Sequence, residues 1–211
     1  MLLNRMRRNS WKICWVIKIN NIEFQYISSA RSYKWTFETP GLMKWIEEHS
    51  HGKVLNLFAG KIRLHNLDEF RVDMSGENKP DLVMSAEDAL RKFIAEGTFF
   101  DTVILDPPYS LRMAREKYEG RFYLGKYTKI LNLVPRVLNR NGVVLTFGYK
   151  SKDMSKSRGF ELRSICLINW GGGHADIVAC QEVSIESDYY LNGTGSRWVN
   201  GDGVDEFEED E

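Results

Sequence analysis

Apolar residues follow two different periods along the chain, and their alternation predicts an α/β sheet. Short apolar or alternating runs, typical of strands, occur at residues 54–58, 70–72, 81–84, 99–105, 143–147, 162–170 and 176–185. Between them, residues 40–51, 85–95 and 124–138 carry apolar positions every three or four residues, which indicates amphipathic helices. Strands that alternate with helices favour a mainly parallel sheet, and the final hairpin makes the last strand antiparallel.

The N-terminal part has a different pattern. Residues 11–19 and 22–27 alternate in polarity around Asn20 and Asn21, and with a third short run at 33–37 they predict a β-ribbon or lid. Thr39 before Pro40 is a helix-start signal, with Thr39 as N-cap. We therefore expect three parts: a ribbon (1–38), a core domain (39–187) and a tail (188–211).

One connection is unusually short. A doubly wound fold places a full crossover helix between its first two strands, but only residues 62–69 separate the turn at Gly60 from the next run. That segment has room for one or two helical turns at most, or for none. The sequence thus predicts a reduced or absent helix there.

Composition indicates an ordinary globular chain. Of 211 residues, 43% are hydrophobic and 27% are charged, which suffices for one sizeable core. No apolar run approaches the ~18 residues of a membrane span. Three scattered cysteines (Cys14, Cys166 and Cys180) favour reduced thiols, so we expect a cytoplasmic protein. The histidines lack the spacing of zinc ligands, and we predict no metal site.

Charge is unevenly distributed although Lys+Arg and Asp+Glu both number 29. Residues 202–211 contain seven acids and no base, and we expect this acidic tail to be disordered. Residues 109–140 contain eight bases against Glu116 and Glu119. Such a basic stretch fits a nucleic-acid partner, although a solvated helix face is the alternative.

The strongest chemical motif is Asp106-Pro107-Pro108-Tyr109, which ends the apolar run 99–105. The two prolines cannot donate ladder hydrogen bonds, and they stiffen the turn at the strand end. A carboxylate, exposed carbonyls and an aromatic ring are therefore held together, as a planar molecule with an amino group requires. In a parallel sheet, ligands lie beyond the carboxyl ends of the strands.

Three markers carry a resemblance to a known family: Glu38-Thr39-Pro40, the strand and turn at 54–60, and the motif at 105–109. Together they make the sequence similar to class I S-adenosylmethionine-dependent methyltransferases, within them the DPPY-type, N6-adenine-like amino-methyltransferases. The resemblance covers about residues 39–185 and implies a Rossmann-like sheet. The chain departs from the family at Asn56, where an acid is usual, and after Gly60, where a second glycine is usual.

The resemblance also implies roles for individual residues. Phe58, Ala59 and Gly60 would line the methionine end of S-adenosylmethionine, and Thr39 would lie in the same cofactor site. Asp73 would accept hydrogen bonds from the ribose hydroxyls, and Asp88 would meet the adenine amino group. For each aspartate the alternative is a cap on the segment that follows it.

The same resemblance implies a reaction at Asp106, Pro107, Pro108 and Tyr109. The Asp106 carboxylate and the Pro107 carbonyl would accept hydrogen bonds from an exocyclic amino group, and Tyr109 would stack on the base. We expect methyl transfer to nucleic acid, with N6 of adenine in DNA first. The alternatives are an RNA base methyltransferase, for m2G or m6A, and a non-catalytic nucleic-acid-binding subunit.

The partners follow from the same reasoning. A nucleic acid is expected as substrate, and no membrane partner is expected. The family's separate target-recognition domain has no counterpart here, so a specificity subunit or a homo-oligomer is left open.

Overall fold

The computed structural model describes residues 12–29, 33–108, 127–171 and 176–185, except the side chains of 12–15. Nine strands lie within these residues: β1 (Lys12–Ile19), β2 (Ile22–Ser28), β3 (Lys53–Asn56), β4 (Asp68–Asp73), β5 (Leu82–Val83), β6 (Phe100–Leu105), β7 (Leu138–Gly148), β8 (Phe160–Asn169) and β9 (Ile177–Ser184). They form one sheet in the order β1-β2-β8-β9-β7-β6-β3-β4-β5.

The centre of the sheet is parallel. In the run β5-β4-β3-β6-β7, each strand pairs in parallel with the next. The last strand, β9, is antiparallel to both β7 and β8. This arrangement confirms the predicted sheet, which is mostly parallel with an antiparallel last strand.

The predicted N-terminal ribbon is confirmed as a hairpin of β1 and β2. Asn20 and Asn21 have φ of 49° and 66°, the left-handed pair that a two-residue hairpin turn needs. Strand β2 then pairs in parallel with β8 over six residues, so the hairpin continues the central sheet. The run at 33–37 does not form a third strand. It leads into a 3₁₀ turn, Thr36–Glu38, whose buried Phe37 packs 5.2 Å from the ring of Phe147.

Three α-helices cover the sheet within the described residues: α1 (Leu42–His49), α2 (Ala86–Glu96) and α3 (Tyr127–Leu133). Helix α2 begins and ends as the sequence predicts. Ser85 caps it by accepting from the Asp88 amide, and Gly97 closes it at φ 64°. Helices α2 and α3 pack on one face of the sheet and α1 on the other.

The predicted N-cap of α1 is wrong. Gly41, at φ 82°, precedes the helix, and Thr39 lies two residues earlier in a turn. The Thr39 side chain is buried, and its hydroxyl accepts a hydrogen bond of 3.1 Å from Trp170 Nε1. The Thr39 hydroxyl therefore makes a tertiary contact with Trp170 and does not cap α1.

The third predicted helix is shorter than expected. It ends at Leu133 and continues as a 3₁₀ turn over Val134–Val137, because Pro135 cannot donate the next helical hydrogen bond. Leu138 begins β7 instead of ending the helix. Asn141 (φ 59°) and Gly142 lie within an irregular part of β7, where a turn was predicted before the strand.

Between β3 and β4 the crossover helix is absent. Residues 57–67 run as turns and irregular chain, with Leu64 only 2% exposed. The shortening that the sequence predicts is therefore confirmed. In the described part of the chain, no helix has the length and apolarity to cross a membrane.

Candidate active site

The ends of neighbouring strands bring the predicted site residues to one edge of the sheet. Asn56, at the end of β3, pairs with Ile104, and Leu105, at the end of β6, pairs with Thr146 of β7. Because these strands are parallel, the Gly60 turn and Asp106 leave the sheet side by side. Asp73 ends β4 at the same edge.

The Asp106-Pro107-Pro108 turn follows β6 directly. Asp106 is half-buried, whereas Pro107 and Pro108 are buried. The preceding strand is anchored because the Leu57 amide donates to the Ile104 carbonyl at 3.1 Å. Tyr109 and the basic residues up to Lys126 lie outside the described residues, so the stacking role predicted for Tyr109 stays a prediction.

The turn after β3 is tightly packed around Gly60. Its φ is 51°, and a Cβ there would lie 3.1 Å from the Trp35 ring, so glycine is required. Ala59 is buried and donates its amide to the Val72 carbonyl at 3.1 Å, while Phe58 is half-buried. A small-residue turn of this kind lets a ligand approach the backbone closely.

Asp73 has a backbone role in this structure. Its Oδ2 accepts from the Gly60 amide at 2.8 Å, and its Oδ1 accepts from the Ser75 amide at 2.8 Å. The carboxylate thus joins the Gly60 turn to the loop after β4. Both oxygens are thus used within the fold, and the role of Asp73 toward a ribose stays a prediction.

Asp88 is likewise engaged locally. It is exposed in the first turn of α2, where its Oδ2 accepts from the Ser85 hydroxyl at 2.6 Å. Its own amide donates back to Ser85 Oγ at 3.1 Å. This pair of hydrogen bonds between Ser85 and Asp88 stabilises the helix start. The contact of Asp88 with adenine stays a prediction, and so does the cofactor role of Thr39.

A buried group of charges on β4 was missed by the sequence interpretation. Glu69, Arg71 and Asp73 alternate along the strand and are all at most 9% exposed. Charged residues at every second position of an otherwise apolar strand were the available signal, since such residues share one face. We call this set the β4 charge row.

Arg71 is the centre of the β4 charge row. Its Nη2 donates to the Gly60 carbonyl at 2.5 Å, and its Nη1 donates to the carbonyls of Asn78 and Lys79 at 3.3 and 3.1 Å. The guanidinium therefore holds the Gly60 turn and the loop at residues 76–79 together. Because no crossover helix follows β3, these bonds are what hold the backbone of the Gly60 turn in place.

Two acids make further contacts in this region: Glu69, within the β4 charge row, and Asp81, outside it. Glu69 accepts from Asn56 Nδ2 at 2.8 Å and from the Leu64 amide at 3.0 Å. Burial alone would raise the pKa of Asp81, but hydrogen bonds from the Arg71 amide and the Arg63 guanidinium outweigh it, and the pKa is lowered. Asn56, which stands where the family has an acid, is thus paired with an acid on the next strand.

On the other side of Asp106, a buried glutamate organises the loop after β7. Glu182, 1% exposed on β9, accepts from the amides of Asp153, Met154 and Ser155 at 2.8, 2.8 and 2.9 Å. These three convergent N–H donors satisfy the buried carboxylate oxygens.

Tyr127 and Asp153 link this loop to α3. The Tyr127 hydroxyl donates to Asp153 Oδ2 at 3.0 Å. Burial, then the charge and hydrogen bond of Asp153, raise the pKa of Tyr127 well above its usual value, and the Asp106 charge contributes. Burial also raises the pKa of Asp153, although the Tyr127 hydrogen bond and Lys150 act against it.

Other reactive groups do not form a second site in the described residues. Cys166 and Cys180 are buried free thiols, and burial raises the pKa of both, that of Cys166 to about 12. Thiols of this kind are poor nucleophiles because the thiolate is not populated near neutral pH. Among the described side chains, no three His, Cys, Asp or Glu residues are grouped to hold a metal ion.

Solved structures place the sheet in the Rossmann-like class I S-adenosylmethionine-dependent methyltransferase fold. SMU.776, a protein assigned as a methyltransferase and solved with SAH, matches with a TM-score of 0.54 at 11% identity, over 86% of this chain and 58% of that one. A protein from Streptococcus mutans assigned as a SAM-dependent methyltransferase matches with a TM-score of 0.52 at 13% identity, over 86% and 57%.

These likenesses concern the fold. The chain spans less than three fifths of the length of each of these two structures. No family model matches the sequence, and no curated protein matches it.

Proposed function

We propose that the protein is an S-adenosylmethionine-dependent methyltransferase that methylates an exocyclic amino group of a nucleic-acid base, N6 of adenine in DNA first. The observation that carries this proposal is the position of Asp106-Pro107-Pro108, at the tip of β6 beside the Gly60 turn of a methyltransferase fold. One turn suits the methyl donor and the other suits the amino acceptor.

The residues of the cofactor side fit the donor. Gly60 packs against the Trp35 ring, and Arg71 and Asp73 hold its carbonyl and amide in place, so the shape of the turn is fixed before a donor binds. Phe58 and Ala59 would contact the donor's methionine end. When bound, S-adenosylmethionine supplies an electrophilic sulfonium methyl group.

The residues of the acceptor side would prepare the amino group. The nitrogen of an exocyclic amine is a poor nucleophile because its lone pair is delocalised into the ring. Hydrogen bonds from its two N–H groups to the Asp106 carboxylate and the Pro107 carbonyl would favour a pyramidal nitrogen and expose that lone pair. Asp106 would also stabilise the positive charge that develops on the nitrogen.

Orientation supplies much of the remaining acceleration. The buried prolines and the anchored strand keep the acceptor turn from rearranging, so little entropy is lost at the moment of reaction. A duplex target would have to be flipped out, at a cost of a few kcal/mol.

The test is methyl transfer from isotope-labelled S-adenosylmethionine to DNA and RNA oligonucleotides, followed by mass analysis of the nucleosides. We expect the wild type to form one methylated nucleoside and Asp106→Ala to lose at least a hundredfold in rate. Asp68→Ala, an exposed aspartate at the opposite edge of the sheet, is the matched control and should keep wild-type activity. No transfer by the wild type, or equal transfer by Asp106→Ala, contradicts the proposal.

The nucleoside that gains the label decides among the alternatives. N6-methyladenine in DNA supports the first choice, and N2-methylguanine or N6-methyladenine in RNA supports the RNA alternative. The missing crossover helix favours the second class of function, a non-catalytic nucleic-acid-binding subunit. Calorimetry distinguishes it, because that subunit would bind nucleic acid but not S-adenosylmethionine.

A further inference from the structure

The loop after β7, residues 149–158, is strongly basic, and we call it the basic loop. It carries Lys150, Lys152, Lys156 and Arg158 against a single acid, Asp153. The three lysines are exposed. Arg158 is half-buried and is used within the fold, since it donates to Asn132 Oδ1 and to the Met154 carbonyl. The lysines are therefore the charges that the basic loop presents outward.

The basic loop starts beside the catalytic turn. Leu105 and Thr146 pair in parallel at the ends of β6 and β7. Asp106 follows the first of them directly, and Lys150 follows the second after a few residues. A polymer that places one base at Asp106 therefore has its adjoining backbone within reach of these lysines.

The fold fixes the shape of the basic loop from beneath. Glu182 binds three successive amides at its centre, and Met154 is fully buried. Ser155 is held at φ 61°, a conformation uncommon for a residue with a side chain. A loop held this firmly presents its charges without first losing conformational entropy.

The acid of the basic loop is already engaged within the fold. Asp153 Oδ2 accepts from the Tyr127 hydroxyl, and Asp153 is half-buried, whereas the three lysines are exposed. The exposed face of the basic loop is thus a positive one.

We propose that the basic loop docks the phosphate backbone of a nucleic-acid strand next to the catalytic turn, an inference that rests on the proposed function for its substrate. Lysines are flexible point charges, and they suit phosphates irrespective of sequence. The one aliphatic side chain of the basic loop, that of Met154, is buried, so the loop lacks an aliphatic anchor for a lipid surface. Tyr149, 53% exposed at its start, offers a ring on which a base can stack.

Fluorescence anisotropy with a labelled 20-nucleotide single-stranded DNA, from 50 to 200 mM salt, tests the docking directly. The triple variant Lys150→Gln, Lys152→Gln, Lys156→Gln should bind at least tenfold more weakly at about 100 mM salt. Its plot of log K against log salt should be flatter by about 2, since each phosphate contact contributes roughly 0.7 on single strands. The matched control is Lys18→Gln, Lys53→Gln, Lys92→Gln, three exposed lysines towards the opposite edge, and it should stay within twofold of wild type.

Each contrary result overturns the proposal. The wild type could fail to bind the DNA, or the two triple variants could bind it equally well while circular dichroism shows both folded. Phosphatidylserine vesicles could also bind the wild type through the same lysines and displace the DNA, which would make this a membrane surface.

The transfer assay separates this inference from the proposed function. The basic-loop variant should raise the KM for the oligonucleotide and leave the affinity for S-adenosylmethionine unchanged. Asp106→Ala should lose transfer and still bind the labelled DNA. Loop-dependent binding in a wild-type protein that transfers no methyl group would refute the catalytic function and leave the docking surface standing.

Discussion

The two sides of the candidate active site hold their loops with buried charge in different ways. On the cofactor side, Glu69, Arg71 and Asp73 lie on one strand and bind loops within about a dozen residues in sequence. On the acceptor side, Glu182 reaches back 27 to 29 residues from the last strand. The contacts of the β4 charge row are local in sequence, whereas those of Glu182 depend on tertiary structure.

The comparison shows two solutions to the cost of burying charge. In the β4 charge row, Arg71 lies 4.0 Å from Glu69 and donates hydrogen bonds to backbone carbonyls, while Asp73 accepts from two backbone amides. Glu182 is stabilised by amide dipoles. Removing a charge should therefore have different consequences on the two sides, because only the first leaves unpaired charges behind.

The largest effect is expected at the centre of the β4 charge row. Arg71→Met would leave buried Glu69 without its cation and would remove the donors to the carbonyls of the Gly60 turn and the 76–79 loop, so it should cost about 3–5 kcal/mol of unfolding free energy. Arg63→Met is the control, because the exposed Arg63–Asp81 pair should contribute less than about 1 kcal/mol. Urea unfolding measures both. An equal loss of unfolding free energy in the two variants would show that the β4 charge row does not stabilise the fold more than an exposed ion pair does.

A smaller effect is expected at Glu182. Glu182→Gln keeps one oxygen but removes the charge that binds three amides, so it should cost about 1.5–3 kcal/mol. Glu161→Gln, a partly exposed glutamate on β8, should change little. The same urea experiment applies, and anisotropy should show weaker DNA binding for Glu182→Gln alone. If Glu182→Gln lost no more unfolding free energy than Glu161→Gln, Glu182 would not be the residue that holds the loop on its side of the site.

The smallest effect concerns pH. Because burial raises the pKa of Asp153, the folded protein takes up this proton before the unfolded chain does as the pH falls. The wild type should therefore gain stability relative to Asp153→Asn as the pH falls from neutral to about 3.8, the ordinary pKa of an aspartate. Urea unfolding at several pH values in that window measures the gain.

Asp101 gives the opposite sign and serves as the control. Hydrogen bonds from the Lys53 amide and Asn139 lower its pKa. Its stabilisation is fully present above the unfolded pKa and is lost as the pH falls through the folded value. Asp101→Asn should thus stay at a constant offset from wild type above about pH 5, where Asp153→Asn drifts. Parallel curves for both variants would contradict the assignment for Asp153.

Much of the sheet could be predicted from the sequence. Strands β3 and β6 each contain a short aliphatic run that leads to turn residues, and α2 carries its own caps at Ser85 and Gly97. These signals are local and need no partner elsewhere in the chain. The turns at Gly60 and Asp106 were found for the same reason.

Features decided by distant partners could not be predicted. Thr39 has the chemistry of an N-cap, but Trp170 takes its hydroxyl and the helix starts after Gly41. Glu182 is the single acid within β9, and its role is visible only when the basic loop folds onto it. The capping contacts of Asp73 and Asp88 were anticipated as one of two alternatives, and the sequence offered nothing to choose between them.

The pairing of β2 with β8 has a consequence for how the chain is made. The contact between Thr39 and Trp170 spans 131 residues, and β2 pairs with the strand that ends just before this tryptophan. At 5–20 residues per second, the ribosome needs roughly 7 to 26 s to deliver the second partner after the first. The hairpin, with Val16, Ile17 and Ile19 on its surface, is synthesised early and must wait unpaired for that time. Slow translation therefore prolongs the interval in which this segment can aggregate or be held by a chaperone.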